Sequence, residues 1–116
     1  MNRETTKSLL SQLVQRLEKA TGADPALDAE LHAAFRCLGQ DDLDEEVRDY
    51  SGSVGTCFDI IHTLLPHWRW HVGFGVNGIV PYATVSKGQH SRFEASAPTV
   101  PLALLLALTR ALVASR

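Results

Sequence analysis

Gly73-Phe74-Gly75-Val76-Asn77-Gly78 carries the GxGxxG spacing of dinucleotide-binding loops. That chemistry requires glycines that leave a strand and open a helix, so that the helix N–H groups meet a pyrophosphate. Here the glycines fall inside an alternating strand pattern and end in a turn, so no dinucleotide site is expected. His62, His67 and His71 are five and four residues apart. Zinc needs about four converging ligands, but these histidines fall on a helix, a turn and a strand. Neither HExxH nor CxxC occurs, and no metal or other cofactor is expected. Cys57 and His62 share a helix but point to different faces at a spacing of five, which does not activate a thiol. No GxSxG occurs either, and the chain reads as non-enzymatic. The run containing Asp41, Asp42, Asp44, Glu45 and Glu46 lacks the central glycine and terminal glutamate of a calcium loop. It reads as a solvated loop, with an acidic patch for a basic partner as the alternative.

The elements that position these residues follow from periodicity. Leu9, Leu10, Leu13, Val14 and Leu17 recur at helical spacing, with Thr5 or Thr6 as cap and Gly22 as the end. Asp24-Pro25 restarts the chain as a capped helix lined by Leu27, Leu31, Ala34, Phe35 and Leu38, closed by Gly39. A third helix from about Ser53 carries Val54, Phe58, Ile61 and Leu65 and ends at Pro66.

The pattern then changes to period two. Asn77-Gly78 is a strong hairpin signal. A two-residue type I′ turn there sets Val76 against Ile79, Phe74 against Pro81, Val72 against Ala83 and Trp70 against Val85. That face is uniformly apolar and predicts Trp70 in the core. The other face carries Arg69, His71, Tyr82, Thr84 and, from a third strand over 91–95, Arg92. Tyr82 opposite Gly73 covers bare backbone, an aromatic rescue. A cationic and aromatic sheet face can stack bases or hold a protein partner. The small Gly73 and Gly75 also leave room for a helix, and we expect this face covered or partly covered. Thr99 caps a last helix whose leucines form an arc wide enough to face more than one neighbour. If neighbouring helices leave part of that arc bare, Leu104 and Leu108 form an apolar stripe for a homodimer.

The chain has 116 residues, one domain's worth, and a formal net charge of −2. The charge argues against general duplex-DNA binding. Cys37 and Cys57 read as buried reduced thiols, with a single disulfide as the alternative. The stretch 1–7 has no apolar signal-type core, and Val100–Leu108 is too short an apolar run to span a bilayer. A cytoplasmic protein is expected.

The layout resembles the phage ABA sandwich domain family, small uncharacterised proteins of bacteriophages and prophages. The resemblance rests on Leu27-Asp28-Ala29-Glu30, Tyr50-Ser51-Gly52-Ser53, Leu64-Leu65-Pro66 before Trp68-Arg69-Trp70, and Phe93-Glu94-Ala95-Ser96-Ala97-Pro98-Thr99 before the last helix. It implies α-β-α layering and a phage context in a bacterial host cell, and it supplies no activity or catalytic residue.

The expected fold is therefore α+β over 1–116, a three-stranded antiparallel meander packed with helices in the order α-α-α-β-β-β-α, with the α-β-α sandwich as its layered form. The expected function is that of a phage or prophage accessory protein acting through contacts with a host or phage protein, one version being interference with host defence. The alternatives are a structural or assembly component of a phage particle, and a nucleic-acid-binding module using the open sheet face.

Overall fold

The last helix sits at the centre of the architecture. Four helices and three strands run as α1 (Arg3–Lys19), α2 (Pro25–Gly39), α3 (Val54–Leu64), β1 (Arg69–Phe74), β2 (Pro81–Lys87), β3 (Ser91–Ser96) and α4 (Val100–Ala114). This is the α+β order expected, seen in a computed structural model that describes residues 3–39, 43, 46–75 and 78–115.

The helix starts follow their side chains. Asp24 Oδ1 accepts the N–H groups of Ala26 and Leu27 at 3.0 and 3.3 Å. Ser53 and Thr99 accept from Thr56 and Leu102 at 3.2 and 3.3 Å. Each satisfies a first-turn donor that has no partner within its helix. The first helix departs from expectation. It begins at Arg3, so Thr5 and Thr6 lie inside it rather than capping it, and Thr6 is buried. Arg3 and Glu4 are good helix formers, and the chain winds through them.

The sheet is an antiparallel meander, β1-β2-β3. Trp70 pairs with Val85, Val72 with Ala83 and Phe74 with Pro81, the register read from the sequence. Val76 and Asn77 lie outside the described residues, and with them the expected pairing of Val76 with Ile79. At the turn, Gly78 has φ +65°, which glycine adopts without steric penalty. Its N–H donates to the Gly75 carbonyl at 2.7 Å, and the Gly75 N–H donates to the Val80 carbonyl at 2.8 Å. In β3, Phe93 is half-buried against the core and Ala95 is buried, as their alternation requires.

Helix α4 packs against α1 and α3 on one side and against the strands on the other. Every residue from Leu102 to Thr109 is consequently buried. The wide leucine arc does face several neighbours, but the homodimer stripe does not exist: Leu104 and Leu108 are both 0 % exposed. The reason is that α1 and α3 cover the side of α4 that the sheet does not reach. Thr109 keeps its buried hydroxyl satisfied by donating to the Leu105 carbonyl at 2.7 Å. Arg110 ties the layers together, donating to the Glu94 carbonyl of β3 at 3.0 Å and pairing with Glu18 of α1 at 3.3 Å.

Two further corrections concern the sheet. Trp70, expected in the core, is 45 % exposed, and Phe74 is 59 % exposed. Helix α4 lies mainly under β2 and β3 and barely touches β1, so the inward side of β1 overhangs the core. Trp70 instead stacks on Phe58 of α3, with ring centroids 4.0 Å apart and planes at 16°. The opposite face, expected to be covered or partly covered, is open. Arg69, His71, Arg92 and Glu94 are exposed on it. Among the described residues the layering is sheet, α4, then α1 to α3, rather than an α-β-α sandwich. The polar open face needs no cover, because Tyr82 rather than a helix shields the bare backbone at Gly73.

Cys57 is buried as expected but Cys37 is exposed, and both are free thiols. Cys37 falls outside the Leu27–Leu31–Phe35 stripe that turns α2 toward the core. Among the described residues no helix is long and apolar enough to cross a membrane.

Candidate functional site

Three places gather chemistry-bearing side chains: the open sheet face, a buried cluster behind α2, and the β1–β2 overhang. On the open face, strand pairing sets His71 beside Thr84, Gly73 beside Tyr82 and Arg69 beside Ser86. It also sets Ser86 beside Arg92 and Thr84 beside Glu94. Arg69, His71, Tyr82, Thr84 and Arg92 thus share the surface that their alternation predicted. The Tyr82 ring lies over Gly73, where a Cβ would come within 3.0 Å of it. Its hydroxyl hydrogen-bonds His71 Nε2 at 3.0 Å. A depression of about 460 Å³ opens beside this pair, lined by His71, Thr84, Ser86, Gly88, Gln89 and Arg92. Ser86 and Gln89 were not singled out from the sequence. For Ser86 the signal was available, since it shares the parity of Thr84 along β2.

Thr84 is only 6 % exposed, and its Oγ1 is buried without a hydrogen-bond partner among the described residues. The acidic run does not join this face among the described residues. Asp41, Asp42, Asp44 and Glu45 lie outside those residues, while Glu46 is exposed and Leu43 is buried. Leu43 is thus buried where the sequence reads as a solvated loop.

Behind α2, residues that could form a catalytic set are committed to holding the fold. Asp28 Oδ1 accepts the Ser51 N–H at 2.8 Å. Ser51 Oγ accepts the Asp24 N–H at 2.8 Å. His32 Nδ1 and the Tyr50 hydroxyl are hydrogen-bonded at 2.7 Å, and Tyr50 meets Phe35 edge-on at 5.2 Å. Cys57 Sγ donates to the Tyr50 carbonyl at 3.1 Å. Nucleophilic catalysis needs a base in contact with the nucleophile. Here the serine hydroxyl serves the Asp24 backbone, the imidazole serves Tyr50, and the thiol serves a carbonyl. The cluster latches the 50–53 segment onto α2. Tyr50, Ser51 and Asp28 appear in the sequence segments quoted above, but their mutual contacts cross loops that local pattern does not resolve.

Burial, reinforced by the nearby charges of Asp28 and Asp49, pushes the Cys57 thiol up from 9.0 to about 12. A raised pKa means that the folded state holds this proton when the unfolded chain would release it. The contribution to stability is full below pH 9.0 and is lost between 9.0 and about 12. Thiolate is the reactive form, so a thiol reagent at pH 8 is expected to modify Cys37 alone in the folded protein and both cysteines after denaturation. Rapid modification of both native thiols would contradict this assignment.

The overhang carries Trp70, Phe74, Ile79 and Val80 as exposed large apolar side chains, with Ile79 at 74 %. Phase alone assigned Trp70 and Phe74 to the core, so the exposure of this end was missed. Among the described residues no three His, Cys, Asp or Glu side chains converge as a metal site, and His62, His67 and His71 stay apart. No family model, no curated protein and no solved structure matches the chain.

Proposed function

We propose that this is a non-enzymatic binding protein that acts through protein–protein contacts, with the β1–β2 overhang as its docking element. The observation that carries the reading is the exposure of Phe74 and Ile79 at one end of the sheet, at 59 % and 74 %. Burying a side chain of that size is worth roughly 1.5–3 kcal/mol. Soluble domains seldom leave several such groups together unless a partner covers them. Among the described residues β1 is also an edge strand, with one side free of pairing, so an extended partner segment can add to it while its side chains meet the overhang. The resemblance to the phage ABA sandwich domain family supplies the context: an accessory protein in the cytoplasm of a bacterial host, with host or host-defence machinery as target.

The test compares the protein with a Phe74→Ser, Ile79→Ser variant as bait in lysates of host cells with and without phage. Both positions are exposed, so the variant is expected to keep its thermal midpoint while losing the captured partner. A host protein as that partner supports the accessory role, and a capsid or tail protein supports the assembly role. Equal capture by both baits would refute the overhang as the docking element.

A further inference from the structure

We propose that the depression on the open sheet face is a binding site for a tetrahedral oxyanion of the phosphate-monoester class. This rests on the face opposite the overhang and is independent of the docking reading.

The first observation is the donor set. Arg92, Thr84, Ser86, Gln89 and His71, each with a polar side chain able to donate, line one depression of about 460 Å³. They come from three strands and the β2–β3 turn, so donors approach from several directions rather than along one edge. That distribution suits a tetrahedral anion better than a planar carboxylate, and arginine matches phosphate oxygens with paired N–H donors. Gly88, at φ +64°, completes the rim where the backbone turns.

The second observation is Thr84. It is more than nine-tenths buried, it lines the depression, and its hydroxyl has no partner among the described residues. A buried hydroxyl left unpaired is unfavourable. Because the oxygen is itself buried, it donates to a ligand oxygen once the ligand displaces the side chains that close over it. Glu94, the cross-strand neighbour of Thr84, does not line the depression, and its charge at the border would favour a single compact anion over an extended polyanion.

The phosphate can come free or as the terminal group of a mononucleotide, and Tyr82, hydrogen-bonded to His71 at the edge of the site, would offer a ring to a base. The experiment is a two-dimensional amide NMR titration of the full chain with inorganic phosphate and, separately, with adenosine monophosphate, at constant ionic strength. Saturable shifts are expected at Thr84, Gly88 and Gln89. Arg92→Gln is expected to weaken binding about tenfold, the usual loss for one charge-assisted contact. Thr84→Val is the decisive variant. It removes the hydroxyl and keeps the shape, so binding should weaken several-fold while thermal stability holds or rises. A purely structural threonine would move neither shift nor affinity. Equal affinity for the two ligands identifies free phosphate as sufficient. Tighter nucleotide binding that Tyr82→Ser abolishes identifies a nucleotide. Absence of saturation, or Arg92→Gln and Thr84→Val variants that bind like the parent, would overturn the site.

Discussion

Replacing Leu104 and Leu108 together with glutamate is expected to unfold the protein. Both side chains are 0 % exposed, in a helix covered by α1 and α3 on one side and by the sheet on the other. Truncating one buried leucine to alanine typically costs 2–5 kcal/mol. A glutamate in the same place must also bury an unpaired carboxylate or a protonated acid without its hydrogen bonds. Two such changes together are comparable to the roughly 5–15 kcal/mol by which a whole domain is stable. Far-UV circular dichroism should show loss of helix, with aggregation or poor expression. The milder Leu104→Ala should remain folded, its thermal midpoint lower by on the order of 10 °C. A folded, soluble double-glutamate variant would mean that this side of α4 is exposed and could serve as an interface.

Tyr50→Ala is expected to lower stability by about 3–5 kcal/mol, the usual range for deleting a buried aromatic. Tyr50 is fully buried, packs edge-on against Phe35, and holds His32 through its hydroxyl. Its carbonyl also accepts the Cys57 thiol. The side chain therefore pins a segment without helix or strand to the middle of α2. Tyr50→Phe separates packing from hydrogen bonding. It keeps the ring and removes the 2.7 Å bond to His32 Nδ1, and should cost about 1–3 kcal/mol because the imidazole stays buried. Combined with His32→Leu, the loss should be less than the sum of the two single losses, since the shared bond is removed only once. Urea unfolding of the single and double variants gives the coupling directly. Additive losses, or a Tyr50→Ala protein as stable as the parent, would show that the latch contributes nothing specific.

The β1–β2 register was legible because alternation allows one parity, while the two-residue turn expected at Asn77-Gly78 includes Asn77, which lies outside the described residues. With that register comes the grouping of Arg69, His71 and Thr84, and the alternation of the third strand adds Arg92. The Thr84 hydroxyl's lack of a partner among the described residues could not be read from the chain, because it depends on every side chain that closes around it. The latch was less legible still. Asp28 with Ser51 and His32 with Tyr50 join residues 23 and 18 positions apart across the loop after α2, and no periodicity spans that gap.

By itself the sequence determined the element order, the caps at Asp24 and Thr99, and the pairing of β1 with β2. Each depends on backbone preferences and hydrogen bonds within a few residues. Tertiary structure decided what those elements cover. Trp70 and Leu104 both lie on apolar faces with sound local phase, yet one is 45 % exposed and the other fully buried. The difference lies in where α4 crosses the sheet: under β2 and β3, short of β1. Hydrophobic burial has no direction of its own, so phase tells which side of an element seeks cover, and only the packed arrangement of distant elements supplies it.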